Sequence, residues 1–342
     1  MARPITLFTI QWGDLSLEEV CKLAKQMGFE GLELSAAHID MRKAAVDKAY
    51  VEEVKATLKK YDLGCWAMSH HLAGQCVCDT LPDAYDSRLD GFAPAELAGK
   101  PELIQKWGIE EMMATAHAAQ NMGVKVVTFF MGSPITDRTI LHQPIWKFWY
   151  SFPQTSEEQV EAAYQKVKEL WTPIFDEFDK CGVKLALEIH PTEIAFDYWS
   201  TKKLLETFEY RPTLGINFDP SHLLWQSVDP VVFCRDFIDR IYHVHAKDVK
   251  LNFDGRNGVL GSHLTFGNMN RGWNFVSLGH GDVDFDGICR ALNQGNYNGP
   301  ISIEWEDSGM DRVYGATEAC EYIKKYNFNA STFAFDSAIK TD

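Results

Sequence analysis

Four short runs in the C-terminal half each alternate apolar and polar side chains, and each carries a metal-competent group near the end of its polar face. Side chains of a strand point to opposite faces in turn, so the alternation sorts residues by face. In 241–248, Tyr242, Val244 and Ala246 oppose His243, His245 and Lys247. In 185–190, Leu185, Leu187 and Ile189 oppose Ala186, Glu188 and His190. Asn217 and Asp219 oppose Ile216 and Phe218, and Ser302, Glu304 and Glu306 oppose Ile301, Ile303 and Trp305. Taken singly, a Glu at a strand end forms a salt bridge and an inward His hydrogen-bonds within the core. Taken together, Glu188, Asp219, His245 and Glu304 are a candidate ligand set for one divalent cation, because carboxylates sharing a cavity without a cation are costly. Three carboxylates and one imidazole form a hard, oxygen-rich site, suited first to Mn²⁺, with Mg²⁺, Co²⁺ or Zn²⁺ as alternatives. His243 lies deeper than His245 and is expected to pack in the core or support the ligands from behind.

The elements that must bring these groups together can be read from the start of the chain. Residues 5–12 read as an apolar strand, with Trp12 on its inward face. Ser16 and Glu19 form a capping box for a helix ending near Gly28. Strands are expected at 31–35, 63–71, 124–131, 184–190, 214–219, 241–247 and 300–306, and helices over 41–60, 105–121, 157–181, 200–209, 230–239, 285–294 and 311–325. Segments 72–104, 133–155 and 250–284 read as long loops, and 326–342 as a tail whose Phe328, Phe333 and Phe335 pack on the barrel or on a neighbouring subunit. Eight strand signals alternating with helices predict one α/β domain over 1–342, a (β/α)8 TIM barrel with its site at the C-terminal strand ends. A doubly wound open sheet fits less well, since no glycine-rich nucleotide turn follows the first strand.

The formal charge of −15 over 342 residues, with no basic block, argues against nucleic acid and anionic membrane partners. The eight cysteines are scattered without a CxxC pair, as expected of reduced thiols. With neither a leader-like N-terminus nor an apolar run of about 18 residues, a cytoplasmic, soluble protein is expected.

The runs Leu-Glu-Ile-His at 187–190, Phe-Asp-Pro-Ser-His at 218–222, His-Val-His-Ala-Lys-Asp at 243–248, Gly-His-Gly-Asp-Val-Asp-Phe at 279–285 and Ile-Glu-Trp-Glu-Asp at 303–307 together resemble the xylose-isomerase-like superfamily of sugar isomerases, epimerases and dehydratases. The resemblance implies that Glu188, Asp219, His245 and Glu304 hold one divalent cation and that His222 touches substrate or a metal-bound oxygen. The chain departs from the ketose 3-epimerase pattern at two places. Leu251 stands where that pattern has an Arg, and Ile194 where it has a second Glu, Glu193 being one position short.

A divalent ion holding a sugar carbonyl and its neighbouring hydroxyl acidifies the adjacent C–H and stabilises the enediolate. The family's two-carboxylate epimerases imply Glu188 and Glu304 as acid–base groups on opposite sides, with His190 as a rival base. Lys247 is expected to bind an oxyanion or to pair with Glu306; Trp12 to stack on a sugar or plug the barrel. His71 is expected at the substrate, beneath a roof drawn from His70, Gln75, Trp146, Trp149, His263, Arg271 and Trp273. The expected function is a metal-dependent isomerase or epimerase acting on a keto-sugar. The alternative is a lyase that expels a β-substituent, as in the superfamily's inosose dehydratases and 3-oxo-glycoside- or C-glycoside-cleaving subunits, and a roofed pocket for a bulky substituent favours it. A non-catalytic sugar-binding subunit and a metal-dependent endonuclease rank lower; the endonuclease needs histidines that Thr128-Phe-Phe-Met131 does not supply. The partner is a small sugar, with a homo-oligomer or accessory subunit as the expected assembly.

Overall fold

A computed structural model describes residues 3–81, 85, 87–134, 156–191 and 193–331. The chain opens with β1 (Ile5–Phe8), α1 (Leu17–Gln26), β2 (Gly31–Ser35), α2 (Met41–Val46), α3 (Lys48–Lys60) and β3 (Gly64–Ser69). It continues with α4 (His71–Asp79), α5 (Pro101–Met122), β4 (Val126–Phe129), α6 (Glu157–Cys181), β5 (Lys184–Glu188), α7 (Tyr198–Thr207), β6 (Leu214–Phe218), α8 (Pro220–Leu224) and α9 (Pro230–Asp236). The last third holds β7 (Ile241–Ala246), β8 (Asp248–Leu251), β9 (Trp273–Val276), α10 (Phe285–Gln294), β10 (Ile301–Ile303) and α11 (Arg312–Tyr326).

Eight of the strands close into a parallel barrel in the order β1-β10-β7-β6-β5-β4-β3-β2, while β8 and β9 form a separate antiparallel hairpin. This is the expected (β/α)8 barrel. Helices pack their apolar stripes on the outward strand faces, as with the buried Val20, Cys21 and Ala24 of α1 and the buried Trp171, Phe175 and Phe178 of α6. Among the described residues no helix is long and apolar enough to cross a membrane.

A bulge sets the polar register on which the site depends. Ile216 pairs with Ile241 but Asn217 pairs with His243, so Tyr242 is left over and both His243 and His245 turn inward. Gly215 makes room for the displaced Tyr242, whose ring a Cβ at 215 would meet at 2.1 Å. One layer of the barrel interior then carries Ser302 beside His245, and Asn217 beside both Glu188 and His243.

Several expected boundaries move. The first strand stops at Phe8, since Thr9 takes a helical backbone conformation and Ile10–Trp12 forms a 3₁₀ turn. The helix expected over 41–60 breaks at Asp47, whose carboxylate caps α3 by accepting from the amides of Ala49 and Tyr50. Segment 72–104 is not a loop: it contains α4, two 3₁₀ turns (Ser87–Gly91 and Ala95–Leu97) and the start of α5. Every α4 residue but Leu72 is buried, and its polar residues His71, Gln75 and Asp79 face the interior, so the helix has no solvent-exposed charged face to mark it. Within 250–284, Asp248 accepts from the amides of Gly279, Gly281 and Val283 at 3.0, 3.0 and 3.1 Å, which pins that segment to the barrel rim. Residues 135–155, including Trp146 and Trp149, and the tail from 332 lie outside the described residues.

Candidate functional site

Glu188 ends β5, Asp219 follows β6 as the cap of α8, His245 lies on β7, and Glu304 follows β10. These four strands are consecutive around the barrel, so their ends converge. All four side chains are buried, and one ligand atom from each lies within 4.8 Å of the others. His245 Nδ1 stands 3.2 Å from Glu188 Oε2 and 3.1 Å from Glu304 Oε2. Asp219 Oδ1 accepts from the amide and hydroxyl of Ser221 at 2.8 and 2.7 Å, whereas the buried Oδ2 has no hydrogen-bond partner. It faces His222 Nε2 at 3.3 Å and the Lys247 ammonium at 3.9 Å without a hydrogen bond to either, and three buried carboxylates gathered so closely are costly without a further cation. The donor set therefore fits a hard divalent ion.

The surroundings control the charge on each ligand. Burial pushes the Glu188 carboxyl up, but the imidazoles of His222, His245 and His71 hold it well below its usual range. Asp219 rises because burial outweighs the attraction of His222 and Lys247. Glu304 falls despite burial, chiefly through Lys247. His245 is raised well above an ordinary histidine against its burial, first by Glu33. Lys247 is buried and raised by Glu304, Glu306 and Asp219, at 3.5, 3.2 and 3.9 Å. His190 is pushed well below the usual imidazole range by burial and then by His222, so it is neutral at physiological pH.

The centre opens into a cavity of about 280 Å³ lined by Phe8, Gln11, His71, Phe130, Glu188, His190, His222, Lys247, Phe275, Glu304 and Glu306, among others. Glu188, Glu304, His190, His222, Lys247 and His71 thus meet at one cavity with Asp219 and His245 at its base. His71 Nε2 lies 3.0 Å from Glu188 Oε2 and takes part from the first residue of α4.

Trp12 lies elsewhere. The turn after Phe8 buries it outside the cavity lining, with the Arg312 guanidinium 4.4 Å over its ring. Of the expected roof, Arg271 and Trp273 are buried inside the 250–284 segment. Arg271 donates to the Leu264 carbonyl at 2.6 Å, and Trp273 stacks on Trp225 at 4.8 Å. His263 is exposed, Gln75 donates to Asp79, and His70 faces Glu111, so none of these three lines the cavity.

Two participants escaped the sequence reading. Gln11 Nε2 donates to Glu304 Oε1 at 2.9 Å. Glu33, fully buried on β2, lies 2.8 Å from His243 Nε2 and 3.0 Å from His245 Nε2, and Thr128 donates its hydroxyl to the same carboxylate. A lone acid between Leu32 and Leu34 in a five-residue apolar strand was the signal for Glu33. At the two departures from the epimerase pattern, Leu251 pairs with Trp273 in the hairpin and Ile194 is buried in the core, while the neighbouring Glu193 accepts from the amides of Met131 and Gly132 at 2.6 and 2.5 Å.

Residues 21–326 match the xylose isomerase-like TIM barrel family. The uncharacterised protein YfiH of Bacillus subtilis is 25% identical over 339 residues, covering 94% of this chain and 98% of YfiH. An inosose dehydratase of Clostridium botulinum is 32% identical over 110 residues, 32% of this chain and 36% of that enzyme. The crystal structure of 3-keto-D-glucoside 4-epimerase YcjR from E. coli superposes with a TM-score of 0.64 at 15% identity, covering 94% of this chain and 99% of that one.

Proposed function

The chain belongs to the xylose isomerase-like TIM barrel family, and from that premise we propose that it is a divalent-metal-dependent enolising enzyme acting on a keto-sugar or an oxidised sugar derivative. One observation carries the reading: four ligand atoms, three carboxylate and one imidazole, lie within 4.8 Å of one another at the base of a sugar-sized cavity. We assign Mn²⁺ first. The bound ion supplies Lewis acidity, polarising the carbonyl and offsetting charge that develops on its oxygen.

The chain supplies the rest. Glu188 and Glu304 come from strands separated by β6 and β7 and both line the cavity; in this reading one removes a proton and the other returns it. Lys247, held by Glu304 and Glu306, presents a fixed positive charge to a developing oxyanion. His190, neutral and beside His222, is placed to move a proton to or from a substrate oxygen. Phe8, Phe130 and Phe275 line the cavity and exclude water. The eight unbridged cysteines fit a reducing cytoplasm.

A second reading, in which the enediolate expels a β-substituent, draws support from the match to inosose dehydratase, although that match spans only about a third of each chain. The test is metal analysis of the purified protein followed by incubation with keto-sugars in D₂O. About one ion per chain, lost in Glu188→Ala and His245→Ala, with deuterium appearing beside the carbonyl, is the expected result. A metal-loaded protein that exchanges no deuterium with any keto-sugar refutes the proposal. Release of a substituent during exchange selects the lyase.

A further inference from the structure

On the barrel face opposite the cavity, α5 and α6 pack against each other and gather three metal-competent side chains: His117 from α5, and Glu177 and Cys181 from α6. Both helices end here and hand the chain to the N-terminal ends of β4 and β5. The group is therefore separate from the ligands at the C-terminal strand ends. Glu177 and Cys181 are four residues apart, so they lie one turn from each other on one side of α6. His117 reaches across from the penultimate turn of α5.

One ligand atom from each residue lies within 4.8 Å of the others. Cys181 Sγ stands 3.5 Å from His117 Nδ1. That separation matches the edge of a tetrahedron whose metal–nitrogen and metal–sulfur bonds are about 2.0 and 2.3 Å, the lengths zinc takes. Glu177 Oε1 rests 2.7 Å from His117 Nε2, and its Oε2 pairs with the exposed Lys180 at 2.7 Å. To join the thiol around Nδ1, the carboxylate must swing away from Nε2; surface pairs of this kind contribute little, so a cation can displace them.

The backbone fixes the least mobile ligand. Cys181 is the last residue of α6, Gly182 caps the helix in the left-handed region, and Gln120 of α5 donates to the Cys181 carbonyl at 3.2 Å. Cys181 is buried, whereas the His117 and Glu177 side chains are 46% and 21% exposed, which leaves a path for an ion and a place for water as a fourth ligand. Burial, and then Glu177, keep the proton on the thiol in the metal-free chain. Coordination exchanges that proton, released to solvent, for the metal–sulfur bond.

We propose that His117, Glu177 and Cys181 form a second metal site, suited to Zn²⁺, that ties α5 to α6. A thiolate with an imidazole favours Zn²⁺ over Mn²⁺ and Mg²⁺, whereas the barrel centre offers three hard carboxylates and no sulfur. The two sites thus sort ions by ligand chemistry. This site stands on its own residues and is independent of the enolising reading.

Co²⁺ reports on it directly, because a thiolate–cobalt bond adds a near-ultraviolet charge-transfer absorption that oxygen and nitrogen ligands do not give. Full-length protein, kept reduced with a phosphine, is titrated with Co²⁺ alone. A saturable near-ultraviolet band that bleaches as Zn²⁺ is added is the expected result; the barrel centre is silent in this band. Cys181→Ser and His117→Ala should each abolish it, and Glu177→Gln should weaken the titration by at least about tenfold. Melting curves of the metal-free variants check that each folds. The proposal is overturned by the absence of a band or by a band that survives in Cys181→Ser, where another cysteine must carry it. A band that survives in His117→Ala, or an unchanged titration in Glu177→Gln, overturns it equally, since the thiol then binds cobalt without the other two ligands.

Discussion

Glu33 and His245 meet inside the barrel with Oε2 and Nε2 3.0 Å apart, which turns the other ring nitrogen, Nδ1, toward Glu188 and Glu304. Glu33 is held well below the usual carboxylate range, burial notwithstanding, by His245 and His243, and so is an acceptor only. It therefore keeps a hydrogen on Nε2, so the proton a metal ion would displace is the one on Nδ1, facing Glu188 and Glu304. In Glu33→Gln an amide NH₂ competes with the two N–H donors. Mn²⁺ affinity should fall by roughly 10–100-fold, the usual effect of losing a group that orients a metal-binding histidine. Calorimetric titration measures it, and an unchanged Kd would remove Glu33 from the site.

Lys247 makes the opposite electrostatic contribution. Its ammonium lies 3.5 Å from Glu304 and 3.9 Å from Asp219, so it competes with a divalent ion for the same carboxylates. Lys247→Met keeps most of the side chain's length but deletes the charge, including the ammonium that lies 4.3 Å over the Phe275 ring. Metal affinity should rise by roughly three- to tenfold, while kcat/KM on the enolised substrate drops by about 10²-fold because the oxyanion loses its fixed cation. Loss of both metal and turnover would instead make Lys247 a structural residue.

The strands that carry the ligands were legible because period-two alternation survives wherever a parallel strand has a polar end facing a cavity, as at Glu188, Asp219, His245 and Glu304. What alternation cannot report is where a strand stops. Extending β1 to residue 12 put Trp12 on an inward face, when the helical turn at Thr9 takes it under Arg312 and delivers Gln11 to Glu304 instead. Helix α4 is hard to read for a related reason: it is buried on nearly every side, and its short stripe of His71, Gln75 and Asp79 faces the interior rather than solvent. Arg271 and Trp273 read as pocket residues because they are polar and aromatic in a glycine-rich segment. The buried guanidinium, stacked on Phe266 and Trp273, in fact holds that segment together.

Asp248 explains why a glycine pair brackets His280. Its carboxylate takes four backbone amides, those of Val249, Gly279, Gly281 and Val283. A Cβ at Gly281 would come within 2.0 Å of Asp248 Oδ1, so the close approach requires glycine there. Asp248→Ala leaves the buried amides of Val249 and Val283 unpaired and frees those of Gly279 and Gly281, and should destabilise the protein by about 3 kcal/mol, with Gly281→Ala comparable. Urea unfolding should show a lower midpoint at unchanged slope. A midpoint equal to wild type in both variants would show that the 279–283 segment is held by other contacts.

His38 gives the acid limb of the stability profile a defined contributor. Burial in the wall of a cleft lined by Ile39, Met41 and Trp107 pushes its imidazole below the ordinary value of 6.5, an effect only partly countered by the carbonyls of Trp12 and Leu15 and by Asp14. The folded chain therefore keeps His38 neutral at a pH where the unfolded chain has already protonated it. With more protons bound in the unfolded state, stability rises with pH across that interval. The contribution is present in full above the unfolded value and fades as pH falls below it. His38→Gln, which does not titrate, should flatten the fall in Tm between pH 7.5 and about 5 relative to wild type, because only the difference between the two profiles isolates this residue. Parallel profiles would mean that His38 keeps its ordinary proton affinity in the fold and that the acid sensitivity comes from other groups.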